Sequence, residues 1–439
     1  MPLRIAVVGS GISGSLCARL LATRHEATLF EAADRIGGHT HTIDVEVFDK
    51  FWPVDTGFMV FNDRTYPKLI RMLELLEIDS RPSDMSFSVS CQRSGLEYQG
   101  SSLNGLFAQR RNLVRPSFYR MLGDILRFNR QATALLDAAQ NEVALGEFLQ
   151  QHRYCEQFAD HYLLPMIAAI WSAPPQAMRR FPVKLLARFL QNHGLLQVYD
   201  RPQWRTIVGG AGRYLDALLQ PLGDAVRTAS PVTAIRRNGS GVLITGCAGQ
   251  LEEFDAVVLA CHAPQALALR ADASALEQEV LSTFDYQPNE AVLHVDEAML
   301  PRRKRAWASW NYRTSDATNQ PATVTYDLSR LQGHASPSPI LQTLNPTEPI
   351  APAKVLQRLQ FEHPLFNFQT QLAQQQHERL HKDGKVYYCG AYWGYGFHED
   401  GVESALRVCR HFDISLENLK LPCIAASTKV GSNTRAKHQ

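Results

Sequence analysis

Residues 3–31 hold the tightest constraint in the chain. Leu3-Arg4-Ile5-Ala6-Val7-Val8 is a short, mostly apolar run of strand type, and Gly9-Ser10-Gly11-Ile12-Ser13-Gly14 follows without a break. Ser15 to Thr23 then reads as a helix with Leu16, Leu20 and Leu21 on its buried side. A second strand, Ala27-Thr28-Leu29-Phe30, ends in Glu31. Strand, glycine turn, helix, strand and acid in this order form the fingerprint of a dinucleotide-binding unit. Gly9 permits the tight turn, Gly11 lets a pyrophosphate approach the backbone, and Gly14 allows close packing of helix on strand. The helix N-terminus offers unpaired N–H groups and a positive dipole end to phosphates, with Ser10 and Ser13 among the candidate contacts. Glu31 is placed to accept hydrogen bonds from ribose hydroxyls.

Composition narrows what surrounds this unit. A chain of 439 residues, 45% apolar and 20% charged, can bury a large core and is expected to form two to three domains. Lys and Arg number 45 against 43 Asp and Glu, so no global charge draws the chain to nucleic acid, and no such partner is expected. The eight cysteines include no C-x-x-C pair. That spacing argues against a zinc site or dithiol motif and for reduced thiols in a cytoplasmic protein. The uncharged stretch from Tyr162 to Met178 is interrupted by Pro165, Pro174 and Pro175 and falls short of the roughly 20 residues of a spanning helix. It is expected to be buried. The small residues near the N-terminus belong to the glycine turn, so no export signal is expected.

Further along, Glu31 leads into Ala32-Ala33-Asp34-Arg35-Ile36-Gly37-Gly38-His39-Thr40. Here the chain resembles the flavin-containing amine oxidoreductase family, which carries an acid and then R-x-G-G as a second FAD contact. Four further segments match in order: Asp55-Thr56-Gly57-Phe58-Met59, Gly209-Gly210-Ala211-Gly212-Arg213, Pro231-Val232-Thr233-Ala234-Ile235, and Gly390 through Ser404. The resemblance implies non-covalently bound FAD. It places Arg35, Gly38 and His39 on the cofactor, Thr56, Gly57, Phe58 and Met59 beside the isoalloxazine, and the Val232 backbone at the adenine. Gly390, Gly401 and Val402 would form the last flavin-binding segment. Independently of any family, Gly401 reads as the opening of a helix with Val402, Ala405, Leu406, Cys409 and Phe412 on one side.

The resemblance also implies the architecture: α/β, with a Rossmann-type FAD-binding domain assembled from residues 1–80, 205–270 and 383–415. An interleaved α+β substrate domain would take 81–204 and 271–382. Within these, Asp255 to Ala260 reads as a buried parallel strand, and Phe118, Met121, Leu122, Ile125, Asn129, Ala132 and Leu136 as one helical face. Residues 421–439 lose apolar periodicity and read as a mobile tail.

A flavin takes a hydride equivalent directly from a C–H bond, so the protein need only orient that bond, exclude water and tune the ring. His398 is the candidate for moving a proton, because an imidazole titrates near neutrality. By resemblance Phe397 walls the substrate site, with Tyr395 and Trp171 as further substrate contacts; Tyr392 and Trp393 could also line it. The lysine that relatives place near the flavin has no clear counterpart, Lys304 and Lys354 being candidates by order alone. His39 and His41 are spaced as strand neighbours, but no third ligand accompanies them and no metal is expected. Arg110, Arg111 and Arg115, and the run Arg302-Arg303-Lys304-Arg305 before Trp307, suit either a solvated face or a peripheral contact with the inner face of a membrane. The apolar run Leu164–Trp171 and a resemblance to a bacterial branch linked with acyl-chain desaturation point to an apolar substrate such as a fatty-acyl chain, or a phospholipid carrying one. Oxygen or another acceptor would reoxidise the flavin. Amine oxidation, and a non-catalytic FAD-bound scaffold for a membrane enzyme, stand as the alternatives.

Overall fold

The structure, a computed structural model, describes residues 1–92, 94–137, 143–171, 174–197, 199–314 and 323–423. Of the tail expected from Leu421, residues 424–439 lie outside the described residues; Leu421 itself is tied down, its carbonyl accepting from Arg19 Nη2 at 2.8 Å.

Five parallel strands form the nucleotide sheet, in the order Val226–Arg227, Glu26–Phe30, Arg4–Val8, Ala256–Leu259 and Val386–Tyr388. Their alternation explains the two covered faces. Ile5, Val7, Leu29, Ala256 and Val258 point into one core, under the helices Ile12–Leu21, Gly212–Leu219 and His398–Arg410. Ala6, Val8, Val257, Leu259 and Tyr388 point into the other, roofed by the antiparallel strands Val232–Arg237, Val242–Gly246 and Leu251–Phe254. A parallel strand buried on both sides reads as a continuous apolar run, which is why Ala256–Leu259 was legible.

The second body is a seven-stranded mixed sheet backed by helices. Its order is Val355–Pro364, Tyr286–His294, Leu341–Leu344, Thr323–Asp327, Trp310–Thr314, Phe87–Cys91 and Leu96–Gln99. Only the Trp310–Thr314 and Phe87–Cys91 pair is parallel. Helices Pro116–Asp137, Leu164–Trp171 and Val183–Asn192 share its core. Among the described residues no helix is long and apolar enough to cross a membrane.

Two helix starts and one histidine pairing differ from expectation, and one proline is accommodated within its helix. The first helix starts at Ile12 rather than Ser15, and the last at His398 rather than Gly401. In the latter, Asp400 Oδ2 accepts the Phe397 N–H at 2.9 Å, which stabilises an earlier start. His39 and His41 precede the strand Thr42–Glu46 and so are not neighbours on a strand face. Pro165 does not break its helix. A π turn over Ala159–Leu163 leads into Leu164–Trp171, and the His161 carbonyl, which Pro165 has no N–H to satisfy, accepts from Tyr98 Oη at 2.6 Å.

Candidate active site

One cavity of about 800 Å³ runs from the glycine turn into the second body. At its nucleotide end the glycines divide the labour. Gly9 has φ +104°, and a Cβ there would lie 2.9 Å from Ala260 O. A Cβ on Gly14 would fall 1.9 Å from Gly9 O, so helix and strand could not close. At Gly11 a Cβ would meet nothing within 4 Å: this position faces open cavity. Glu31 Oε2 accepts from Ser10 N at 2.9 Å and Ser10 Oγ at 2.6 Å, while Ser10 Oγ accepts from Gly37 N at 2.9 Å. Gly38, with φ +57°, approaches Gly11 across the cavity wall. The two glycine motifs are thereby joined through one serine. Ser13 and Val232 also line this end.

Midway, the Thr56–Met59 loop is pinned to the residues after the second glycine pair. Phe58 N donates to His39 O at 2.8 Å and Thr56 N to His41 O at 2.9 Å, and a Cβ on Gly57 would clash with His39 O. Asp55 holds the loop from behind, accepting from Ala211 N at 2.8 Å and from Thr42 Oγ1; burial pushes its carboxyl up to about 7. His398 lies flat on Phe58, with centroids 3.6 Å apart, and its Nε2 is 3.1 Å from both Thr40 Oγ1 and Tyr214 Oη. Burial pushes its pKa down to about 3, so the ring is neutral at physiological pH.

Four further imidazoles line the wall: His193, which stacks on Phe189, and the group His39, His262 and His363. His39 packs at 5.2 Å from both Phe361 and His363, and its buried Nε2 has no hydrogen-bond partner. Burial lowers its pKa well below the usual histidine value and that of His363 to about 4. Asn345 Nδ2 donates to Asn289 Oδ1 at 2.7 Å, and Asn289 Nδ2 donates to His363 Nδ1 at 2.9 Å, which leaves the His363 proton on Nε2. His262 Nδ1 contacts Glu362 Oε2 at 3.1 Å.

Beyond the histidines the wall turns apolar, with Met59, Met166, Ile170, Phe189, Leu344 and Phe397. Phe397 stacks on Phe189 at 5.3 Å. Among the described residues Glu31 and Glu362 are the only Asp, Glu, Lys or Arg side chains on the lining.

Several candidates stand elsewhere. Trp171 and Tyr395 form a layer behind the wall: Trp171 packs on Phe189 at 4.6 Å and its Nε1 donates to Tyr395 O at 3.4 Å. Trp393 is buried against His377, whereas Tyr392 and Gly390 do line the cavity. Gly401 and Val402 do not. A Cβ on Gly401 would lie 2.7 Å from Ile12 Cγ2, so this glycine lets the last helix pack on the first, and Val402 is wholly buried between them. Gly14 acts through packing, as above, and Arg35 is directed at Gly38 O, 3.0 Å away. Lys304 lies over the Trp307 ring and Lys354 pairs with Asp296 at 2.9 Å; neither approaches the cavity. Glu378, His381 and His411 cluster within ligating distance of one another, but His381 Nε2 already accepts the Tyr388 N–H at 3.1 Å, so its lone pair is engaged.

Residues 12–343 match the model of the family described as flavin-containing amine oxidoreductase. The chain belongs to that family. A putative flavin-containing monoamine oxidase, AofH, of Mycobacterium tuberculosis is 26% identical over 346 residues, spanning 74% of this chain and 70% of that protein. Among solved structures, cyclohexylamine oxidase from Brevibacterium oxydans aligns with TM-score 0.67 at 16% identity, over 94% of this chain and all of that one. A CLA-producing fatty acid isomerase from P. acnes aligns with TM-score 0.66 at 14% identity, over 93% and 98%. These likenesses establish the amine oxidase-like fold expected from the motifs, and with the family match an FAD-dependent oxidoreductase.

The residues fit that cofactor. Gly11 opens onto space at the N-terminus of a helix, Glu31 follows the second strand beside it, and an orphaned buried nitrogen on His39 awaits a partner further in. Motif reading missed His262, His363, Tyr286, Glu362 and Gln342. His262 caps the helix that follows the nucleotide-sheet strand Ala256–Leu259, and the others come from the strands Tyr286–His294, Leu341–Leu344 and Val355–Pro364 of the second body, where neither a glycine turn nor an unusual spacing marks them. The alternation Leu359, Phe361, His363 on Val355–Pro364 is the faint signal that could have found one of them.

Proposed function

We propose that this oxidoreductase removes a hydride equivalent from a C–H bond of an uncharged, apolar substrate, with a fatty-acyl chain as the favoured class. The observation that carries the reading is the substrate half of the cavity, which is lined mainly by Met, Ile, Leu, Phe and other aromatic side chains and, among the described residues, holds no lysine, arginine or carboxylate beyond the exposed Glu362. Burying an ammonium there would cost several kcal/mol without a partner, whereas each methylene buried contributes about 0.8 kcal/mol. The fold shared with a fatty acid isomerase supports the same class.

FAD, when bound, supplies the acceptor for the hydride equivalent. The chain does the rest. The glycine turn and the Ile12–Leu21 N-terminus take the pyrophosphate, Glu31 the ribose, and the stacked Phe58–His398 pair supports the inner half. His398, neutral and hydrogen-bonded by Nε2 to Thr40 and Tyr214, orients that wall in this reading. Of the eight cysteines only Cys261 lines the cavity, and it sits beside Gly9, at the phosphate end, so no cysteine is placed to attach the flavin ring; non-covalent binding is our reading.

A second reading, amine oxidation, is favoured by the names of AofH and of cyclohexylamine oxidase and by the aromatic pair Phe189–Phe397. Anaerobic mixing separates the two. Loss of the oxidised-flavin absorbance on adding fatty acids or phospholipids, and not amines, is the expected result. Bleaching by amines alone would overturn the acyl assignment, and bleaching by neither would favour the scaffold.

A further inference from the structure

Two basic stretches far apart in sequence meet on one face. The helix Leu103–Leu106 and the edge strand Leu96–Gln99 both pack against the short turn Lys304–Ala306. Arg110 Nη2 donates to Asn104 Oδ1 at 2.6 Å, and Tyr119 Oη to Leu113 O at 2.9 Å, so residues 103–119 form one continuous surface with that turn. From Tyr98 to Gly123, and again from Ala298 to Thr314, there is no acidic residue. Among the described residues Arg110, Arg111, Arg115, Arg302, Lys304 and Arg305 form no ion pair with a carboxylate; only Arg303 does, with the buried Glu97. Net charge over the whole chain is just +2, so this is local segregation rather than general basicity.

The same face exposes apolar side chains. Leu103 is 77% and Val114 83% exposed, and Leu113, Tyr119 and Leu126 are each about half exposed. Lys304 Nζ lies 5.1 Å from the centre of the Trp307 ring. Unpaired cations around protruding leucine and valine suit a surface that is anionic outside and apolar just beneath, and a lipid bilayer has that profile. A polyanion without an apolar layer would leave Leu103 and Val114 unused.

We propose that the face formed by residues 103–119 and 302–307 docks on an anionic lipid surface. The strand Phe87–Cys91 lies between this edge and the cavity and contributes Phe87 to the lining, so docking would set the substrate half two strands away from the lipid. The inference fits an acyl substrate but is tested without one.

The test is cosedimentation of the full-length, FAD-loaded protein with vesicles of phosphatidylcholine alone or with about a third phosphatidylglycerol. Binding to the anionic vesicles, much weaker binding to the neutral ones, and loss of most binding at high salt are expected. Reversing three charges (Arg110→Glu, Arg111→Glu, Arg302→Glu) should weaken binding by about tenfold or more. Leu113→Asp with Val114→Asp should weaken it comparably, because the apolar anchor is lost. All variants should retain yellow flavin and the parent melting temperature, which separates lost docking from lost folding. Wild-type protein that stays in the supernatant with anionic vesicles at low salt would overturn the proposal. So would vesicle binding that the Leu113/Val114 variant leaves unchanged, which would mark a polyanion site instead.

Discussion

The two ends of the cavity are built on opposite principles. At the nucleotide end, a run of fewer than three dozen residues supplies the turn, the helix N-terminus and the acid, and its hydrogen bonds are mostly local, such as Ser10 to Glu31 and Gly37 to Ser10. At the substrate end, Met59, Met166, Phe189, Leu344 and Phe397 come from five separate segments, and what they share is only the absence of charge. A site that binds a fixed, charged ligand can be written in backbone geometry. A site that selects an apolar ligand is written in packing, which tolerates substitution as long as volume is kept.

The sharpest way to break this contrast lies within one hexapeptide. Gly14→Val should prevent accumulation of folded protein, because its Cβ has no room beside Gly9 O. Gly11→Val should fold, since its backbone is extended (φ −59°, ψ 175°) and its Cβ meets nothing, yet purify without yellow colour. Circular dichroism and the visible spectrum read the two effects separately. A yellow Gly11→Val protein would place the pyrophosphate elsewhere.

At the other end, Ile170→Glu should keep flavin but slow its reduction by an apolar substrate by about tenfold or more, since a buried carboxylate without a partner costs several kcal/mol. Stopped-flow reduction checks this, and an unchanged rate would remove Ile170 from the substrate wall. Acid precipitation should release all the flavin into the supernatant; colour retained in the pellet would contradict non-covalent binding.

The histidines couple the two ends to pH. His363 and His398 have folded-state values pushed down to about 4 and about 3, below the ordinary 6.5. Their stabilising contribution is complete above pH 6.5 and is lost as pH falls toward 4, because the unfolded chain then binds more protons. Asp55, pushed up from 3.8 to about 7, works in the opposite sense: it contributes stability at low pH that fades as pH rises through that window. Melting temperature should therefore fall between pH 6.5 and 5, more steeply in Asp55→Asn and less steeply in His398→Gln. The smallest effect belongs to Trp171→Phe, which stands behind the wall. It should change reduction rates by no more than about threefold, because the swap removes only the outer ring and the long 3.4 Å hydrogen bond from Nε1 to Tyr395 O, one layer behind the lining.

The glycine motifs were legible because Gly9 and Gly14 meet steric demands that no other residue satisfies. The same logic misplaced Gly401: its smallness serves the contact with Ile12, and a sequence cannot tell a glycine that admits a ligand from one that admits a neighbouring helix. Trp171 and Tyr395 sit one layer back for a related reason. An apolar run announces burial, but which of its faces meets the cavity depends on helices that pack from elsewhere, here through Phe189.

From its residues alone the chain declared a dinucleotide turn, a buried parallel strand and a protein with no global pull toward nucleic acid, because local geometry and net charge are properties of short segments and of sums. Only the tertiary structure brought Asn345, Asn289 and His363 into one hydrogen-bonded line, left His39 Nε2 without a partner, and joined two basic stretches on a single face. Those arrangements depend on strand register and long-range packing, which a linear pattern does not encode position by position.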